Sequence, residues 1–396
     1  MKYAFVLLSA LVVIFTYSCR TDSQSLDLLI EEQLAFAIDQ SKRMNENLPA
    51  DLLPRSFNAE TNELITSGSD WWCSGFYPGV LWYLYDYSKD EELLQMAKSR
   101  TALIEKEQYN TGTHDLGFMI NNSYGLGLKV TGDERHKKIM LNGAYSLLSR
   151  FREQVGCIQS WDNDKWTCPV IIDNMMNLEY LVWAFNETGD SSFIHAVISH
   201  TENTIKNHFR ANNSSYHLVD FDTITGDVIR KLTVQGFDDE SAWARGQAWG
   251  LYGFVSIYRE IGEARFLKQA VGIADFITKH ENLPDNKIPY WDFDAPDIPD
   301  VKRDASAGAI ICSALLELHQ YVDKERSERY LSTAETILRT LSSPEYRAEA
   351  GENGNFILKH SVGHLPANSE VDVPVTYADY YFIESLLLMR ELYAIE

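Results

Sequence analysis

Ile171-Ile172-Asp173-Asn174-Met175-Met176-Asn177-Leu178 runs into Tyr180-Leu181-Val182-Trp183 and then into the turn Thr188-Gly189-Asp190. One carboxylate sits among apolar and amide residues. A helix that is apolar on most sides follows it, and a polar turn then restarts the chain as an amphipathic helix. A helix without a polar face has to be buried. Glycine at the turn suits a left-handed C-cap, and the aspartate after it suits the N-cap of the next helix. The same unit returns along the chain. Its turns are Ser88-Lys89-Asp90, Thr131-Gly132-Asp133, Thr188-Gly189-Asp190, Ile261-Gly262-Glu263 and Val322-Asp323-Lys324, with the acidic residues 43, 57, 73 and 60 positions apart.

Before these turns the helices read as buried, as in Trp82-Tyr83-Leu84-Tyr85, Trp249-Gly250-Leu251-Tyr252 and Ile310-Ile311-Cys312. After them they are amphipathic, as in Phe266-Leu267-Lys268-Gln269. A sixth buried helix over 377–392 has no outer partner, and an amphipathic first helix over 26–44 has no inner one. Pairing these two closes six helical hairpins into a ring. The expected fold is therefore all-α, an (α/α)6 barrel of six hairpins in a single domain over 26–396. An open helical solenoid is the alternative, and the glycines and aromatics at the inner-helix starts favour closure. Pro49 and Pro54 mark 48–65 as loop, and the alternating pieces 216–221 and 228–234 predict a small hairpin.

Composition narrows the function. Hydrophobic residues make up 45% of the 396 and aromatics 12%, enough for a large core. The formal net charge of −22 repels nucleic acid and anionic membranes, so an anionic substrate would need a local cationic site. Residues 1–19, MKYAFVLLSALVVIFTYSC, have a basic start and an apolar run too short to span a membrane securely. They predict a signal peptide of lipoprotein type with Cys19 as the lipidated residue, then a polar tether over 20–25, and hence an exported periplasmic or membrane-anchored protein. Ordinary secretory cleavage is the alternative. Of the remaining cysteines, Cys157 and Cys168 could form a bridge in an oxidising compartment, or all four could be buried thiols. No cysteine or histidine spacing suggests a metal, and neither a dinucleotide fingerprint, a GxSxG elbow nor a P-loop is present.

In such a barrel the segments entering the inner helices gather at one end. Residues 69–79, 113–118, 161–177, 233–249 and 359–377 all fall there. Asp173 then faces Asp115, in Thr113-His114-Asp115-Leu116-Gly117-Phe118. Two carboxylates in a semi-apolar pocket push their pKa values apart, and one can stay protonated near neutrality. Periodicity alone leaves open that each aspartate merely caps its helix. His114 could bind an anion or face solvent. Arg245 and Trp249 share a helix face, so an arginine clamp beside a stacking ring is possible; the alternative is Arg245 paired with Asp238 or Asp239 at the rim. Trp71 and Trp72 could be core or a stacking wall.

Together the motifs WWCSGFYPG, HDLGF, IIDNMMNL and DDESAWARGQAWG resemble glycoside hydrolase family 88, the unsaturated glucuronyl hydrolases, over about 30–393. The sister family acting on unsaturated rhamnogalacturonan fragments matches these motifs less well, and a non-catalytic sugar-binding lipoprotein is a rival of another class. The resemblance implies a hydrolase that removes the non-reducing-end 4,5-unsaturated glucuronic acid from glycosaminoglycan oligosaccharides. It implies Asp173 as general acid and Asp115 as the second essential aspartate. Substrate contacts fall on Trp72, His114, Trp161, His217, Thr233, Gln235, Arg245 and Trp249, with no metal or organic cofactor. The expected partners are unsaturated glycosaminoglycan di- and oligosaccharides left by polysaccharide lyases, with the protein acting as a monomer or weak dimer. One departure stands out. Relatives that accept sulfated chondroitin fragments carry Ser and Lys shortly before the last inner helix. Here that loop has no such Lys, and His364 is the candidate in its place.

Overall fold

The computed structural model describes residues 25–394. The signal peptide, its Cys19 and all but the last residue of the tether lie outside them. Among the described residues twelve α-helices alternate between two layers. The inner layer holds α2 (Phe76–Ser88), α4 (Leu126–Thr131), α6 (Leu178–Thr188), α8 (Ala244–Ile261), α10 (Ala305–Leu318) and α12 (Thr376–Ala394). The outer layer holds α1 (Leu26–Asn47), α3 (Glu91–Ala102), α5 (Glu134–Leu148), α7 (Ser191–His208), α9 (Ala264–Lys279) and α11 (Lys324–Leu341). Each inner helix packs on the next, the Gly117–Gly125 stretch ahead of α4 making the contact to α6, and α12 packs on α2 and α1, so the ring is closed as the turn pattern predicts.

The turns carry the caps expected of them. Gly132, Gly189 and Gly262 take positive φ, and Asp90, Asp133, Asp190 and Asp323 accept backbone N–H bonds at the next helix start. Lys89 adopts the left-handed conformation without a glycine, and Glu263 caps without a side-chain bond.

Four small sheets at the end where the inner helices begin depart from a purely helical reading. Residues 48–65 are not all loop: β1 (Leu53–Asn58) pairs with β2 (Glu63–Ser67). Pro54 is tolerated because β1 breaks register between Pro54 and Ser56, a bulge where a missing N–H matters little. The short β3 (Phe151–Arg152) and β4 (Cys157–Ile158) pair, and β5 (Pro169–Ile171) joins the expected hairpin of β6 (Leu218–Phe221) and β7 (Val228–Leu232) as a third strand. Finally β8 (Ser361–His364) and β9 (Ser369–Val373) form a hairpin just before α12. Cys157 and Cys168 are free buried thiols packed with Val170, Val219 and Phe221, not a bridge. Burial pushes the Cys168 thiol up to about 11.

Candidate active site

Asp173 sits in a 3₁₀ turn, Ile172–Asn177, between β5 and α6. Its neighbours lock that turn. Asn174 is buried, donating to the Ile158 carbonyl (2.7 Å) and accepting from Ser160 Oγ (2.8 Å). Asp173 itself is 8% exposed, and its Oδ2 has no hydrogen-bond partner. Burial pushes its carboxyl up to about 7; the Arg245 charge opposes this and the Asp115 charge adds to it. Desolvation thus outweighs the like-charge repulsion that two facing carboxylates would suggest.

Pairing of β5 with β6 sets His217 beside Asp173, since the His217 carbonyl accepts from Ile172 N (3.0 Å). The ring's Nδ1 accepts from Val234 N (3.0 Å), which leaves the proton on Nε2. That Nε2 points toward Asp173 Oδ2 at 3.9 Å, too far for a hydrogen bond, and has no other partner. Burial holds the His217 pKa well below its usual value, so the ring is neutral.

Asp115 precedes a π-helical stretch, Gly117–Gly125, that leads into α4; such turns are frequent at functional sites. Its Oδ2 accepts from Thr113 Oγ1 (3.0 Å). His114, far from facing solvent, is 2% exposed and donates from Nδ1 to the Ser160 carbonyl (2.9 Å). Burial lowers its pKa, so its Nε2 is an acceptor, 3.2 Å from Asp115 Oδ1 and without a donor. A cβ on Gly117 would lie 2.6 Å from Asn177 Oδ1, and Phe118 N donates to that same oxygen (3.0 Å). The glycine of the HDLGF motif therefore lets the Asp115 segment close on the Asp173 turn.

Both aspartates open into a cavity of about 210 Å³ walled by all five entry segments. Trp72, Trp161, Gln235, Arg245 and His364 line it. Trp161 presents its edge to both His114 (6.5 Å) and His217 (6.2 Å). Arg245 is not paired with Asp238 or Asp239. It bonds Asp304 (3.3 Å), Gln235 Oε1 (2.7 Å) and the carbonyls of Val362 and Gly363, which tie α8 to β8. Its buried Nε has no partner.

Three expected contacts stand back from the wall, and His217, beside Asp173, is one of them. Trp249 is 1% exposed and packs behind Phe118 (5.1 Å) and Tyr381 (5.7 Å), where it supports the wall. Thr233 spends its Oγ1 accepting from Gly236 N (2.8 Å), holding the turn that carries Gln235. The sequence reading missed Arg55, Ser369, Glu370 and Tyr377, which also face the cavity. Nothing in one sequence links Arg55 to Glu370 across 315 positions, yet the pair meets at 2.6 Å.

Four buried polar atoms beside this cavity have no hydrogen-bond partner: Asp173 Oδ2, His217 Nε2, His114 Nε2 and Arg245 Nε. At about 210 Å³ the cavity is smaller than the roughly 300–1,000 Å³ that buries a drug-sized ligand. It suits one sugar ring, with the rest of a substrate at the mouth.

The family model for Glycosyl Hydrolase Family 88 matches residues 41–387. The chain belongs to that family. It is 42% identical to an unsaturated glucuronyl hydrolase of Formosa agariphila, over 87% of this chain and 86% of the relative. It is 34% identical to an unsaturated glucuronyl hydrolase of Bacillus sp. GL1, over 83% and 89%. Among solved structures, an unsaturated glucuronyl hydrolase specific for heparin superposes with a TM-score of 0.91 at 45% identity, covering 93% of this chain and 98% of the other. These family 88 barrels agree with the closed ring described above.

Proposed function

We propose that this family 88 hydrolase removes a 4,5-unsaturated glucuronic acid from the non-reducing end of glycosaminoglycan oligosaccharides made by lyases. The observation that carries the reading is Asp173: a buried carboxyl on the cavity wall, with a pKa near 7 and an Oδ2 that no protein group hydrogen-bonds. Such a group keeps a substantial protonated fraction at neutrality, where an ordinary aspartate keeps almost none, and can give that proton away. In this reaction Asp173 protonates C4 of the C4=C5 bond, and positive charge develops at C5 and the ring oxygen. The Asp173 carboxylate then takes a proton from the water that adds to C5. The resulting hemiketal opens and releases the next sugar. Because the proton goes to carbon, the distance rule for carboxylate pairs in ordinary glycosidases does not govern the outcome.

Asp115 and the neutral His114 offer acceptors suited to ring hydroxyls, and His217 offers a donor beside the acid. The alternatives fare less well: relatives in Streptococcus agalactiae and Streptococcus pneumoniae are unsaturated chondroitin disaccharide hydrolases, and neither sugar binding without turnover nor rhamnogalacturonan activity is named among the cited relatives. The higher identity to the heparin-specific structure, 45% against 28% for the Streptococcus agalactiae structure, directs the substrate reading to heparin-type disaccharides first. We also propose export by residues 1–19 with lipid on Cys19, on the strength of Lys2, the apolar run and Ser18-Cys19.

The test follows the ultraviolet absorbance of the unsaturated acid with heparin, chondroitin and hyaluronan disaccharides. Absorbance should disappear with at least one of them. Persistence with all three, with loss on rhamnogalacturonan fragments, would move the activity to the sister reaction.

A further inference from the structure

The cavity has a deep half and a mouth. Asp173, His114 and Arg245 are buried, while Arg55 and Glu370 keep 25% and 15% of their side chains exposed. One ring fills the deep half, so the sugar it is joined to lies against the mouth. Two arginines face this cavity, and only one has charge to spare. Both terminal nitrogens of Arg245 are bonded to carbonyls and carboxylates. Arg55 uses Nε alone, on Glu370 Oε1 at 2.6 Å, with its guanidinium 4.0 Å over the Trp71 ring. Neither of its Nη groups has an acceptor among the described residues.

The guanidinium is held from two sides. Trp71 holds the face of the guanidinium, and Glu370 holds its Nε. Glu370 in turn lies against Gly363, where a Cβ would come within 2.6 Å of both its Cβ and Oε2. A guanidinium pinned in this way presents two parallel N–H groups with little rotamer freedom left to lose. Such a fork matches an oxyanion that accepts two bonds at once. His364, the expected substitute for the missing lysine, is ill placed for the task. Its Nε2 is already bonded to the Val234 carbonyl (2.8 Å), which leaves only Nδ1 for the cavity.

We infer that Arg55 determines specificity, by binding a sulfo group on the sugar next to the unsaturated uronate. The cation thus comes from β1 and not from the loop before α12. This rests on the function proposed above, and the experiment separates the two. Binding is measured in the Asp173→Asn background, which removes turnover, using heparin-type disaccharides with and without a sulfo group on the glucosamine. The readout is the ratio of affinities for each matched pair.

Arg55→Ala should lower the preference for the sulfated ligand by about tenfold or more, the worth of a charge-assisted bond. Glu370→Gln removes the countercharge and should raise the preference severalfold at low salt, a direction that damage to the fold cannot produce. An unchanged ratio in Arg55→Ala overturns the assignment, whatever substrate the active enzyme turns over. So does a preference that falls in Glu370→Gln as well, because the pair would then be only a brace for the rim. Turnover by the unaltered enzyme reads the proposed function separately.

Discussion

Protonating carbon, as proposed here, demands an acid that keeps part of its proton near neutrality, and Asp173 meets that demand because burial raises its pKa to about 7. Asp173→Asn should retain substrate binding and lose about a hundredfold to ten-thousandfold in kcat, measured by loss of the unsaturated acid's absorbance. In the unaltered enzyme kcat/KM should decline as pH rises through about 7, the folded-state pKa of Asp173. A profile flat to high pH would remove Asp173 from the role. The same burial has a thermodynamic side. The native carboxyl holds its proton above the ordinary range, so it favours the fold at low pH and that contribution is lost as pH climbs from about 4 through 7. Asparagine does not ionise. Asp173→Asn should therefore melt with the parent at about pH 4 and exceed it near pH 8, by up to roughly 4 kcal/mol from denaturant titrations. Residues with a local signature were legible at this scale: Asp173 in its apolar run, and Asp115 in a matching one. Arg55 was not, because its meaning lies in Glu370 and Trp71, which sequence separates from it.

At the scale of elements, close approach of backbones sets where the proposed acid sits. Gly253 of α8 faces the Asp173 turn, and a Cβ there would meet Met175 Cβ at 2.5 Å and its carbonyl carbon at 2.9 Å. Alanine would favour the helix by about 1 kcal/mol, but overpacking against backbone costs about 1–3 kcal/mol and should win. Gly253→Ala should lower the melting temperature and also reduce kcat, since relief of the clash shifts the turn that carries Asp173. A loss of stability with kcat intact would show that the turn is held from the β5 side instead. The helices and their turns were readable because each carries its own period and cap. The sheets were not: β1 to β9 are two to six residues long, too short for alternation to stand out, and their partners are distant in sequence. Trp249 shows the same limit. Its spacing from Arg245 correctly put both on one helix, but which ring fronts the cavity depends on Phe118 and Tyr377 packing across from it.

Across the whole molecule the ring is drawn together by one carboxylate. Glu384 of α12 accepts from Tyr83 of α2 (2.8 Å), Tyr252 of α8 (3.1 Å) and Ser313 of α10 (2.5 Å), so it joins four of the six inner helices. Burial pushes its pKa up while those hydroxyls hold it down. Glu384→Ala takes the acceptor from three hydroxyls, of which Tyr83 keeps Tyr380 Oη at 3.4 Å, at about 1–3 kcal/mol for each one left dry and unpartnered. Its denaturant midpoint should fall markedly while KM at low temperature stays unchanged, because Glu384 is not part of the catalytic cavity. A changed KM would mean that strain travels the length of the barrel. The closed ring also fixes where the chain comes and goes. The inner helices begin at the mouth, as Tyr377 at the start of α12 does, and Arg390 near its end pairs with Glu31 near the start of α1 (3.3 Å). Both ends of the described chain therefore emerge on the face away from the cavity. Fastened to a bead or fused to a carrier through either end, the molecule would stand with its mouth outward, and soluble fragments would reach it unobstructed.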